Sequence, residues 1–278
     1  MERLIRNILI IGGVLTLVLA AGFYTQQSWA TILWAAVDSP LSHRFIASMA
    51  AAIAAAMLWI GITGNLHFMR AGALNLAVMF GGKAIFLGLN PSLLDAAPLA
   101  MPNWVYIGIC VAFSIFNIWL FFWAKRFPAP DPQPLPTGVR IAYVIFIVAL
   151  IGVGTSLVLQ LPNVLPWPLP PVTSVLFGWM FLGDAFYFGY ALVNPRWTNG
   201  EAQLWSFLAY DLVLIFPFLT KLPTIKPEFF LSMVAYLCIL LFSGTVAIYY
   251  LFLNPATRCI GRRSEAELRA SAFDLITE

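Results

Sequence analysis

Charge is what this sequence has least of: 10% of its 278 residues are Asp, Glu, Lys or Arg, against 61% apolar. Water-soluble domains carry about 25% charged residues. The chain therefore reads as an integral membrane protein. Histidine is almost missing, at two residues, and there are three cysteines. Cys110, Cys238 and Cys259 give neither a disulfide framework nor a metal-ligand spacing. There is no phosphate-binding glycine loop, no dinucleotide or zinc-protease fingerprint and no G-x-S-x-G nucleophile turn. Neither histidine stands with a Ser or Cys and an Asp as a triad would require. These absences predict a protein that is not an enzyme and holds no metal. The net charge of +3 is small and gives no reason to expect nucleic acid as a partner.

What the sequence has is apolar length. A helix needs about 20 residues to cross the roughly 30 Å hydrocarbon core. Runs of that order lie near 5–23, 45–63, 70–89, 104–124, 140–160, 172–193, 202–220 and 229–253. The first, behind the basic stretch MERLIRN, has the outline of a signal peptide, but we count it as a span. The predicted fold is all-α, with eight transmembrane helices. Basic residues near span ends stay on the cytoplasmic side. With the N-terminus inside, Arg3, Arg6, Arg70, Lys125, Arg126, Arg140, Arg196, Arg258, Arg262, Arg263 and Arg269 fall inside, and Arg44, Lys221 and Lys226 outside. Both termini are expected to be cytoplasmic, and Trp29, Trp34, Trp104, Trp167 and Trp197 to sit at the interfaces.

Between the fourth and fifth spans, FPAPDPQPLPTG places proline at nearly every second position and predicts an extended linker. An offset of 128 residues across it aligns Pro40-Leu41 with Pro168-Leu169, Gly61 with Gly189, Cys110 with Cys238 and Phe121-Phe122 with Tyr249-Tyr250. The chain therefore divides into a four-helix repeat (1–126), the linker (127–139), a second four-helix repeat (140–257) and a tail (258–278). An even number of spans gives the two repeats the same orientation, N-in and C-in. In the tail, Ser264 and Glu267 have capping-box spacing, which predicts a short amphipathic helix.

The segment LPWPLPPVTSVLFGWMFLGDAFYFGY, a Trp-Pro-Leu entry followed by a small-residue helix, resembles segments of uncharacterised bacterial polytopic membrane proteins. The resemblance covers about a tenth of the chain and implies a bacterial inner-membrane location, with no activity attached.

Three ionisable residues lie deep in the spans: Lys83 in FGGKAIF, Asp184 in FLGDAFYF and Asp211. An unpaired charge at the bilayer centre costs at least about 2.5–3.5 kcal/mol. The 128-residue offset places Lys83 on Asp211, so an ion pair joining the repeats is expected, with Asp184 as the competing partner. Intramembrane charges also mark ion routes. The remaining polar residues of the spans, such as Asn75, Asn117 and Ser206, are scattered over several helices. Ala47, Ala51 and Ala55 form a small-residue row on the second span and, with Gly178 and Gly183, predict close helix packing. His43 and His67 are each candidates for a single ligand to a haem or chlorin, though not for an axial pair.

Together these features predict a non-catalytic accessory or scaffolding subunit, embedded in the lipid bilayer among other membrane protein subunits, in an energy-transducing complex. No cofactor is implied by motif. The alternatives are a small ion-coupled transporter using Lys83, Asp184 and Asp211, and a protein that binds a lipid, quinone or pigment.

Overall fold

In lipid every backbone N–H and C=O must find its partner within the segment, which drives the apolar runs into helices. The computed structural model describes residues 1–34, 39–92, 102–128 and 133–259. Among them lie eight helices long and apolar enough to span a membrane. These are α1 (Glu2–Tyr24), α2 (Pro40–Thr63), α3 (Met69–Leu89), α4 (Asn103–Trp123), α5 (Thr137–Val158), α6 (Pro171–Val193), α7 (Trp197–Lys221) and α8 (Pro227–Ile248). The only extended pairing among the described residues is one antiparallel bridge, Pro134 with Arg196. The predicted tail helix, with Ser264 and Glu267, lies outside the described residues.

The sequence marks several helix boundaries. Proline opens α2, α6 and α8, where its missing N–H has no intrahelical partner to lose. The Ser39 side chain accepts from the Ser42 N–H and caps α2. At the other end Gly64 takes φ +76°, the left-handed conformation that stops a helix. The Arg6 side chain donates to the carbonyls of Gly61 (2.9 Å) and Ile62 (2.8 Å), satisfying two of the last acceptors of α2.

The helices pack as two rows of four. One row runs α1, α2, α7, α8, and the other α4, α3, α6, α5. Within each row neighbours pack along their lengths. Across the rows α2 and α3, α6 and α7, and α5 and α8 barely touch, and α1 and α4 share no packed interface. Burial follows the row order: 67% of the most apolar stretch of α6 is buried, against 11% of that of α1 at a row end.

Small residues permit the close crossings. A methyl group added at Gly178 of α6 would stand 2.7 Å from the Gly154 carbonyl oxygen of α5, and one added at Gly154 would stand 2.9 Å from the Gly178 carbonyl. Such backbone-to-backbone approach replaces the hydrophobic force that is absent in lipid.

The chain passes from one row to the other twice, in the α2–α3 turn and the α6–α7 turn. Both lie on the face that carries Met1. Arg6 reaches the end of α2 there, and His67 reaches the Phe127 carbonyl beyond α4. The linker joins the same face, since Leu135 N–H donates to Pro195 O and Trp197 N–H donates to Gln133 O. On the opposite face the rows meet through side chains: Trp167 Nε1 donates to Ser42 Oγ (2.8 Å), and Phe45 packs against Trp167 and Phe177.

Candidate functional site

The three intramembrane charges do not form one cluster. Lys83 on α3 is buried, at 2% exposure, and its ammonium lies 5.3 Å from the centroid of the Phe80 ring. No carboxylate oxygen of the described residues comes within 4.0 Å of it. The ion pair with Asp211 expected from the offset is not formed. Asp211 on α7 turns instead towards α8, where Ser243 Oγ lies 2.9 and 2.8 Å from its two carboxyl oxygens. The physical reason is the row order: α3 and α7 lie in different rows, and α7 has α2 and α8 as its packed neighbours. The carboxylate whose charge Lys83 feels is Asp184, across the α3–α6 interface.

Asp184 is held from α3. Asn75 Nδ2 donates to Asp184 Oδ1 at 2.7 Å, the one hydrogen bond of that carboxyl group among the described residues. Close approach makes this reach possible, because Gly183 brings the α6 backbone against the Asn75 side chain; an added methyl there would stand 2.4 Å from Asn75 Oδ1. Two turns on from Asn75, Gly82 lies directly under the Trp179 ring, leaving no room for a side chain.

Between the two rows lies a cavity of about 480 Å³, walled by residues of all eight helices. Asp184 is the only charged residue in this wall among the described residues. The side chain is partly accessible although it sits mid-helix, and it faces the cavity it lines. Lys83 is not a wall residue. Most of the lining is Ala, Ile, Leu, Met and Phe, and the polar groups are few. Tyr187 OH and Ser206 Oγ are 3.3 Å apart. Tyr210 and Tyr236 share a hydrogen bond between their hydroxyls. All three tyrosines line the same cavity wall as Asp184.

The wall also reaches the outside of the bundle. Ile8 of α1 and Phe116 of α4 line the cavity yet are 58% and 52% exposed. They belong to the two row ends that do not pack against each other, so the cavity borders the lipid-facing surface between α1 and α4.

The other sequence candidates have structural surroundings. Ala47 and Ala51 are buried, Ala51 in a cluster with Ala20 and Ala50, while Ala55 is half-buried. Gly178 and Gly183 sit at the crossings already described. His67 has both ring nitrogens in contact, Nδ1 with Phe127 O at 3.2 Å and Nε2 with Tyr190 OH at 3.4 Å, so neither is directed at a cofactor. His43 lies beside the Phe23 ring, 6.3 Å between centroids. No group of three or more His, Cys, Asp or Glu able to hold a metal ion occurs among the described residues.

Sequence reasoning missed the convergence of Asn75, Tyr187, Ser206, Tyr210 and Tyr236 around Asp184. No spacing on one helix signals it, because four helices supply these six residues. No family model, no curated protein and no solved structure matches this chain.

Proposed function

We propose that this chain is a non-catalytic membrane protein that binds a lipid-soluble small molecule in the cavity between its two rows of helices. The cavity carries the reading. Its volume of about 480 Å³ falls within the range of about 300–1,000 Å³ typical of small-molecule sites. Its lining has the usual make-up of such sites, mostly apolar with a few convergent polar groups. Binding of a lipid, quinone or pigment therefore stands ahead of pure scaffolding. An ion route through all three charges has less support, since Asp211 is bonded to Ser243 and is not a wall residue.

The architecture we propose is two tandem four-helix repeats in a bacterial inner membrane with both termini cytoplasmic. Under the 128-residue offset α1–α4 correspond to α5–α8. The packed pairs α1 with α2, α3 with α4, and α2 with α7 then correspond to α5 with α6, α7 with α8, and α6 with α3, all of which are packed. This supports an axis along the membrane normal relating the halves. The basic residues Arg3, Arg6, Arg70, Arg126 and Arg196 lie towards the Met1 face, which favours that face as the cytoplasmic one.

The ligand reading is tested by purifying the protein in lipid nanodiscs, extracting it and identifying retained molecules by mass spectrometry. A wild-type protein should hold a near-stoichiometric apolar molecule. Ala52→Phe with Ala56→Phe, which fills the wall of α2, should release it. Identical extracts from both proteins would rule out the cavity as a binding site.

A second reading, membership of a larger membrane complex, is favoured by the outer face of α4. There Phe113, Phe116, Trp119 and Phe122 are each about half exposed along one side. Native mass measurement in mild detergent decides it: a chain that runs alone and monomeric is not an obligate subunit.

A further inference from the structure

Resting on the cavity reading above, we infer that the preferred ligand is a lipophilic ammonium. Its cationic head would sit at Asp184 between Tyr187, Tyr210 and Tyr236, and it would enter from the bilayer between α1 and α4.

The head chemistry follows from what surrounds the carboxyl group. Among the described residues Asp184 accepts a single hydrogen bond, from Asn75, and it is the only charged group of the cavity wall. Its surroundings therefore favour an entering positive charge over a negative one. Where it is ionised the carboxylate only accepts hydrogen bonds, so it is matched by a cation and not by a group that also only accepts, such as a quinone carbonyl. Lys83 is not a wall residue and forms no ion pair with Asp184 among the described residues, and the Asp184 carboxyl group lines the cavity.

The aromatic groups add to this. The face of a tyrosine ring attracts a cation, and more strongly where water is excluded. Tyr187 comes from α6, Tyr210 from α7 and Tyr236 from α8, so tyrosine rings line the cavity from both rows. A bare inorganic cation is poorly served here. Calcium takes about 6–8 oxygen ligands, and the described residues contain no metal-binding cluster. An organic cation needs one carboxylate and ring faces, with apolar wall for the rest of the molecule.

The route follows from the row ends. Ile8 and Phe116 are cavity wall and bundle surface at once, on two helices with no packed interface. The other pair of row ends is bridged at one point by the Phe146–Phe242 ring contact, 5.4 Å between centroids. A molecule already dissolved in the bilayer therefore meets the cavity wall between α1 and α4.

The test is equilibrium binding of radiolabelled dodecyltrimethylammonium and of dodecanol to the full-length protein in nanodiscs, each corrected for uptake by empty nanodiscs. The ammonium should bind at least about tenfold more tightly than the alcohol. Asp184→Asn should erase that preference while leaving dodecanol binding in place, and Asp184→Glu should keep it. If Asp184→Asn does not fold, Tyr187→Leu should still reduce the preference for the ammonium. Equal binding of the two probes, or a preference untouched by Asp184→Asn or Tyr187→Leu, overturns the cationic head and leaves the cavity reading standing. Binding of neither probe overturns both.

Discussion

Lys83 and Asp184 form an unequal couple: one is shut away beside Phe80, the other opens onto the cavity. Removing the ammonium should therefore act on the ligand more than on the fold. Lys83→Met is expected to tighten dodecyltrimethylammonium binding severalfold, since it removes a like charge from behind the carboxylate; titration of both proteins in nanodiscs checks it. Lys83 and Asp211 should be energetically independent. Unfolding measurements on Lys83→Met, Asp211→Leu and the double variant should be additive within about 0.3–0.5 kcal/mol, the behaviour of sites with no shared partner. A larger coupling would mean that the two charges meet in some populated state. Ser243→Ala should destabilise by about 1–3 kcal/mol, by stripping a buried carboxyl group of its hydrogen-bond donor. At this scale the sequence exposed the charges and hid their partners. An Asp in an apolar run is visible to anyone reading along the chain, but Asn75 lies 109 residues from Asp184 and resembles any other isolated polar residue.

At the scale of the helix, glycine separates contact from surface. Gly154 and Gly152 sit half a turn apart on α5, yet a methyl group at Gly152 meets nothing within 4 Å and one at Gly154 strikes the α6 backbone. Gly154→Ala should cost about 1–3 kcal/mol as an overpacked crossing, while Gly152→Ala should be neutral or slightly stabilising, since Ala is the better helix former. Thermal unfolding of the pair in one detergent gives the comparison. The existence of eight apolar helices was legible, because about 20 apolar residues have few other uses. Their neighbours were not. Gly178 and Gly183 are both small residues of α6, but one faces α5 and the other α3, and residue type does not say which. The proline-rich connection makes sense in retrospect. It joins α4 and α5 at opposite ends of one row, three interhelix steps of about 8–10 Å.

At the scale of the molecule, each row takes helices from both sides of the linker, so neither half of the sequence contains a complete row. Residues 1–128 expressed alone should fail to accumulate as a stable membrane protein, and co-expression with 133–278 should rescue both as one complex. Recovery of a stable, isolated N-terminal half would contradict this interlocked arrangement. The connections between rows have a further consequence. Every covalent crossing lies on the Met1 face, whereas the opposite face is held by Trp167 on Ser42 and by the tilted ring contact of Phe45 with Phe177. The molecule is built like a clothes-peg, with a spring at one end and jaws at the other. A parting of the rows that leaves both turns intact would start at the Trp167 face, where side-chain contacts alone hold them.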